Sequence, residues 1–148
     1  MKLTFTLLFL MLLLSSCQNK NLEEKINING TWQLISAETI EKDSTFSTFN
    51  PKNKMIKIIN DNHFAFFNHD LNKGQKADSL FFGGGGKYTL VDSTYTEYLE
   101  FFNNRDWENN KFSFTVKVSN DTLTQKGVEK IENLGINRII IEKYIRLK

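Results

Sequence analysis

From Gly30 onward the chain sets apolar residues at every second position and never sustains a helical repeat for more than a turn or two, which confines the domain to β-strands. The pattern is cleanest at Lys111 to Val118, where Phe112, Phe114, Val116 and Val118 take one face and Lys111, Ser113, Thr115 and Lys117 the other. One face is buried and one is wet. Comparable segments at Thr31 to Glu38, Lys54 to Ile59, His63 to Asn68, Lys87 to Val91, Thr94 to Phe102, Thr122 to Lys126 and Arg138 to Leu147 make about eight strands. Thirteen phenylalanines beside a single proline suit long aromatic strands joined by Asn, Asp and Gly turns.

The connections are short and carry turn chemistry: Asn60-Asp61-Asn62, Asp92-Ser93, Asn103-Asn104-Arg105-Asp106 and Asn120-Asp121. Links this short join antiparallel neighbours and leave no room for crossover helices. A meander of about eight strands either leaves two open edges or closes on itself, and closure removes the edges. The expected fold is therefore all-β, an antiparallel up-and-down meander closed into a barrel, with a flattened two-sheet sandwich as the alternative. A barrel of this size has an interior that side chains fill or that holds one small ligand.

The N-terminus reads differently. Lys2 precedes an apolar run from Leu7 to Leu14, closed by Ser15, Ser16 and Cys17. A basic start, a short apolar stretch and small residues ahead of a cut describe a secretory signal, too short to span a bilayer as a mature helix. Leu14-Ser15-Ser16-Cys17 resembles the bacterial lipobox, which implies removal of residues 1–16 and a diacylglycerol on the thiol of Cys17. An ordinary signal peptide or an uncleaved anchor is the plainer alternative. Each buried methylene contributes about 0.8 kcal/mol, so one acyl chain holds marginally and two or three hold firmly. The expected location is the cell envelope, lipid-anchored at the outer membrane on its periplasmic or surface face. Residues 17–29, polar and Asn-rich, read as a lipidated tether, and residues 30–148 as the domain. Cys17 is the only cysteine, so its lipidation leaves no thiol for a disulfide, a metal or catalysis.

A formal net charge of +2, with both signs interspersed, argues against nucleic acid as a partner. The stretch Gly30-Thr31-Trp32-Gln33-Leu34-Ile35-Ser36, Gly86-Lys87-Tyr88-Thr89-Leu90, Tyr95-Thr96-Glu97 and the ending Tyr144-Ile145-Arg146-Leu147-Lys148 resemble a bacterial lipocalin-like lipoprotein domain. In that family an arginine of the last strand packs over the Gly-x-Trp tryptophan and closes one end of the barrel. The resemblance implies structural roles for Gly30, Trp32 and Arg146, with Arg138 a second candidate for the arginine.

If Tyr95 to Phe101 alternates regularly, Tyr95 and Glu97 share a face with Leu99. An inward carboxylate needs a partner, a water or a ligand, which makes Tyr95 and Glu97 the candidate polar pair of the interior. Phe64, Phe66, Phe112 and Phe114 are the candidate apolar lining, with Gln125 and Ser36 weaker members. Gly83 to Gly86 followed by Lys87 fails the phosphate-loop spacing, because Phe81 stands where the first glycine belongs and Tyr88 follows the lysine. The run reads as a glycine turn or bulge leading into the Tyr88 strand, or as a mobile lip at the barrel mouth. His63 and His69 with Asp61 and Asp70 match no compact metal site, and no cofactor is expected. No nucleophile-and-base motif points to an enzyme.

These readings lead to a membrane-tethered barrel that binds or carries a small hydrophobic or amphipathic molecule. The alternative is a filled barrel acting as an envelope interaction module, with Trp107 in the Asn103 to Asn110 loop as an exposed anchor for a protein partner.

Overall fold

The computed structural model describes residues 25–148 apart from 76 and 78. The signal segment, Cys17 and the first part of the tether lie outside the described residues. The domain consists of β1 (Gly30–Glu41), β2 (Ser44–Ser47), β3 (Asn53–Ile59), β4 (His63–Asp70), β5 (Phe81–Val91), β6 (Thr94–Phe102), β7 (Asn110–Ser119), β8 (Thr122–Ile131) and β9 (Ile136–Leu147). Every neighbouring pair is antiparallel, and β9 returns to pair with β1 from Leu147 opposite Thr31 to Ile139 opposite Ile40. The fold is a closed up-and-down β-barrel of eight strands, with the short β2 folded back on the far end of β1. This is the all-β closed meander expected from the sequence and is consistent with a lipocalin-like barrel; the two-sheet sandwich is excluded.

The hairpin turns follow their residue chemistry. Asp92 and Asn120 adopt left-handed backbone conformations, with φ of 52° and 53° respectively, which Asn and Asp tolerate better than most residues. At the β3–β4 corner the Asn60 side chain accepts from the backbone N–H of Asn62 and His63, at 3.1 and 2.8 Å. The sequence pattern misses β2, whose four residues are all exposed and carry no buried face to read. It also stops β8 at Lys126, whereas the strand runs to Ile131 and its partner β9 begins at Ile136.

The glycine run is strand, not a mobile lip. Gly83 to Gly86 pair with Phe67 to Phe64 on one side, and Gly84 to Gly86 pair with β6 on the other, with a bulge between Gly85 and Gly86. Aromatic rings explain the composition. A Cβ on Gly83 would lie 2.9 Å from the Phe67 ring, and one on Gly84 would lie 2.9 Å from both Phe66 and Phe102. Phenylalanines from both neighbouring strands thus lie over a backbone that has no side chains of its own.

One end of the barrel is sealed by the chain that leads into it. Ile28, in the segment read as spacer, is 2% exposed and sits in the core with Trp32, Ile59 and Tyr95. The Trp32 indole donates to the Ile28 carbonyl at 2.7 Å. The Arg146 guanidinium lies 4.0 Å from the Trp32 ring centroid and donates from Nη1 to the Asn29 carbonyl. A cation over an indole contributes about 0.5–2 kcal/mol according to its desolvation. Gly30 turns the chain into β1 at φ 139°, and a Cβ there would collide with Arg146 Nη1. The packed domain therefore begins with the isoleucines before Gly30, because they fill the floor that the strands leave open.

Candidate functional site

The other half of the barrel holds a cavity of about 350 Å³. That volume lies at the small end of ligand pockets. Its apolar wall includes Phe66 of β4, Phe82 of β5, Phe102 of β6, and Phe112 and Phe114 of β7. The rings meet edge to face: Phe82 and Phe102 at 6.0 Å and 86°, Phe66 and Phe82 at 6.4 Å and 72°. Such contacts fix ring orientation, so the wall is a shaped surface.

Trp107 belongs to this wall. It packs against Phe102 and Phe112, each at 6.1 Å between centroids, and Arg138 lies over its ring at 5.8 Å. The expectation of an exposed anchor at Trp107 is overturned, because the loop folds inward. Asn104 caps a short 3-10 turn over Arg105–Trp107, and Glu108 accepts the Phe102 backbone N–H at 2.8 Å while pairing with Arg105 at 2.8 Å. These bonds rotate the indole toward the barrel.

Inside the barrel, against this wall, lies a polar cluster. Lys57 Nζ donates to Glu97 Oε1 at 2.7 Å and to Gln125 Oε1 at 3.0 Å. Gln125 Nε2 donates in turn to Glu142 Oε2 at 3.0 Å, and the Tyr144 hydroxyl donates to the same oxygen at 2.7 Å. The Lys57 ammonium also faces the rings of Tyr144, Phe64 and Tyr95 at 5.4, 5.9 and 5.9 Å. Its charge is thus met by a carboxylate, an amide and three π-faces. Closer to the rim, Arg138 places Nε and Nη2 on Glu129 Oε2 at 2.7 and 2.6 Å, across a directly opposed β8–β9 pair.

The electrostatics follow from burial. Desolvation raises the Glu142 carboxyl above its ordinary value of 4.5, against the opposing pull of the Lys57 charge and the Tyr144 hydrogen bond. Glu142 nonetheless keeps part of its surface free, because it borders the cavity. Burial also pushes the Tyr144 phenol well above its usual range, with the Glu142 charge adding to the shift. Tyr95 is pushed the same way by burial and by the nearby Glu97 charge, although its hydroxyl is not aligned for a hydrogen bond and has no partner among the described residues.

Of the residues singled out in the sequence, Glu97, Phe66, Phe112, Phe114 and Gln125 line the cavity. Phe64 and Tyr95 do not. They lie nearer the floor as filled core, with centroids 6.5 Å apart and edge to face. Ser36 follows a register shift in β1 and stays off the cavity wall. The sequence reading missed Lys57, Glu142, Tyr144 and the Glu129–Arg138 pair. Strand parity carries the signal for the first three. Lys57 stands opposite Phe66 and therefore shares its inward face, while Glu142 and Tyr144 share the parity of Arg146.

The His and Asp residues tested for metal binding have other roles. His63 and His69 are exposed on β4. Asp70 clamps the β4–β5 connection, accepting the backbone N–H of Asn72, Gly74 and Leu80 at 2.9, 3.0 and 3.0 Å. No group of three or more potential metal ligands occurs among the described residues. No protein-family model matches the chain, and no curated protein is detectably similar to it.

Proposed function

We propose that the protein is a lipid-anchored carrier of the cell envelope, held at the outer membrane by acyl chains on Cys17, whose barrel takes up one small hydrophobic or amphipathic molecule. The observation that carries this reading is the cavity of about 350 Å³, walled by aromatic rings and bordered by the Lys57 cluster and the Arg138–Glu129 pair. Apolar walls with a few convergent polar groups are what a small-molecule site needs, since the walls supply burial and the polar groups fix orientation. The reading is of a binder without cofactor rather than an enzyme, because the interior ammonium is held by Glu97 and Gln125 and no nucleophile-and-base pair stands out in the sequence. The resemblance of Gly30 to Lys148 to lipocalin-like lipoprotein domains points the same way.

Native mass spectrometry of the chain isolated from a bacterial envelope tests both halves. A reproducible small adduct that is lost on denaturation supports the carrier, and a bare mass counts against it. Acyl mass on Cys17, lost together with membrane association in Cys17→Ser, supports the anchor.

One observation favours a second reading, the interaction module. Phe81 and Phe101 are 68% and 66% exposed, and strand parity sets them on the outer face that also carries Phe67 and Gly83. Loss of a co-purifying envelope protein on Phe101→Asp, with the fold intact, would support it.

A further inference from the structure

Five charged side chains border the cavity: Lys57 and Arg138 against Glu97, Glu129 and Glu142. Both cations are engaged. Lys57 is held by Glu97 and Gln125 and enclosed by rings, and Arg138 is forked onto Glu129. The third carboxylate has no cation within salt-bridge distance among the described residues. Glu142 Oε2 accepts from Gln125 and Tyr144, whereas Oε1 accepts nothing among the described residues and is not a sealed buried atom, and the residue borders the cavity. The polar end of the cavity therefore has one carboxylate more than it has cations, and a surround of π-faces. Both features attract a cation and repel an anion.

We infer that the cavity is selective for a molecule with an aromatic or aliphatic body and a protonated amine, the ammonium seated against Glu142 Oε1. This rests on the carrier reading and adds the chemistry of the head group. A carboxylate head would meet Glu142 and Glu97 while finding both cations already paired. An uncharged hydroxyl would gain the burial of the body and could donate to the carboxylate, but would lack the ion-pair attraction.

The test uses three probes of equal length and bulk: 3-phenylpropylamine, 3-phenylpropanol and 3-phenylpropanoate, titrated by calorimetry into the full chain. The amine is expected to bind about tenfold more tightly than the alcohol, the scale of adding the donor's own charge to one hydrogen bond, with the acid weakest. In Glu142→Gln the amine should fall to the affinity of the alcohol while the alcohol is unchanged. An acid that binds as well as the amine, or an amine preference that survives Glu142→Gln, overturns the head-group inference and leaves the carrier reading intact. Failure of all three probes to bind overturns both. The ranking on the unsubstituted protein decides the matter even if the variant does not fold.

Discussion

Lys57 Nζ lies 2.7 Å from Glu97 Oε1, on strands β3 and β6 separated by β4 and β5, with both side chains withdrawn from solvent. The two residues reach one another across the lumen, so their ion pair spans the barrel where neighbouring strands would be held by the ladder alone. A buried pair is expensive to break from one side, because the surviving charge keeps its desolvation penalty without its partner. Lys57→Met should destabilise the domain by about 3–5 kcal/mol, and Lys57→Met with Glu97→Leu should recover much of that loss. Urea midpoints of the two variants check it. A double variant no more stable than the single would show that the Gln125 and Glu142 hydrogen bonds carry the effect.

At the floor, Trp32 is fully buried beneath Arg146 and bonded to Ile28. Trp32→Ala should cost about 3–5 kcal/mol, as other buried aromatic truncations do. Gly30→Ala should also lower the melting temperature, since its Cβ would occupy the position of the Arg146 guanidinium at a φ that alanine resists. An unchanged melting temperature in either variant would refute the described floor.

Two carboxylates should give opposite pH signatures. Backbone hydrogen bonds from Leu80 and Gly74 hold Asp70 below its ordinary 3.8, so its contribution is present above that value and is lost as pH falls through the lower folded one. Glu142 is raised above 4.5 by burial, so the folded protein binds its proton more tightly than the unfolded chain. Its ionisation therefore erodes stability as pH rises from 4.5 through the raised value. Asp70→Asn should flatten the acid limb of the stability profile, and Glu142→Gln should remove the decline at higher pH. Denaturation midpoints measured across pH separate the two.

Trp107 supplies a wall of the cavity from a loop anchored by Glu108. Trp107→Ala should lower probe or adduct binding by about tenfold, the scale of a buried aromatic contact in a binding site, while the barrel strands keep their pairing. Retained affinity with a far-ultraviolet circular dichroism spectrum like that of the parent would contradict this assignment.

Alternation at Lys111 to Val118 and the Asn- and Asp-rich turns made the antiparallel barrel legible, because period-2 burial and tight turns leave few other arrangements. The same periodicity says which residues face inward but not which of them meet across the lumen. Glu97 was visible as an inward carboxylate, whereas its cation sits forty residues away on β3, between isoleucines that obscure the parity of Lys57. The bulge in the glycine run is present between Gly85 and Gly86, but the turn and lip readings fail for a related reason. Its strand character comes from the phenylalanines of β4 and β6, and local composition does not record neighbours. Trp107 was misplaced because a short loop can turn an indole either way, and the outcome rests on hydrogen bonds made by Asn104 and Glu108.

Because Ile28, Trp32 and Arg146 plug the end where the chain enters, and β9 finishes at that same end, both termini of the barrel leave from one pole. A pull on the residues before β1 is delivered along that strand and resisted in shear by its ladders to β3 and β9, rather than peeling open a free edge. Load applied through residues 25–29 would pass into the floor and these ladders, and the far rim with its cavity lining would escape it.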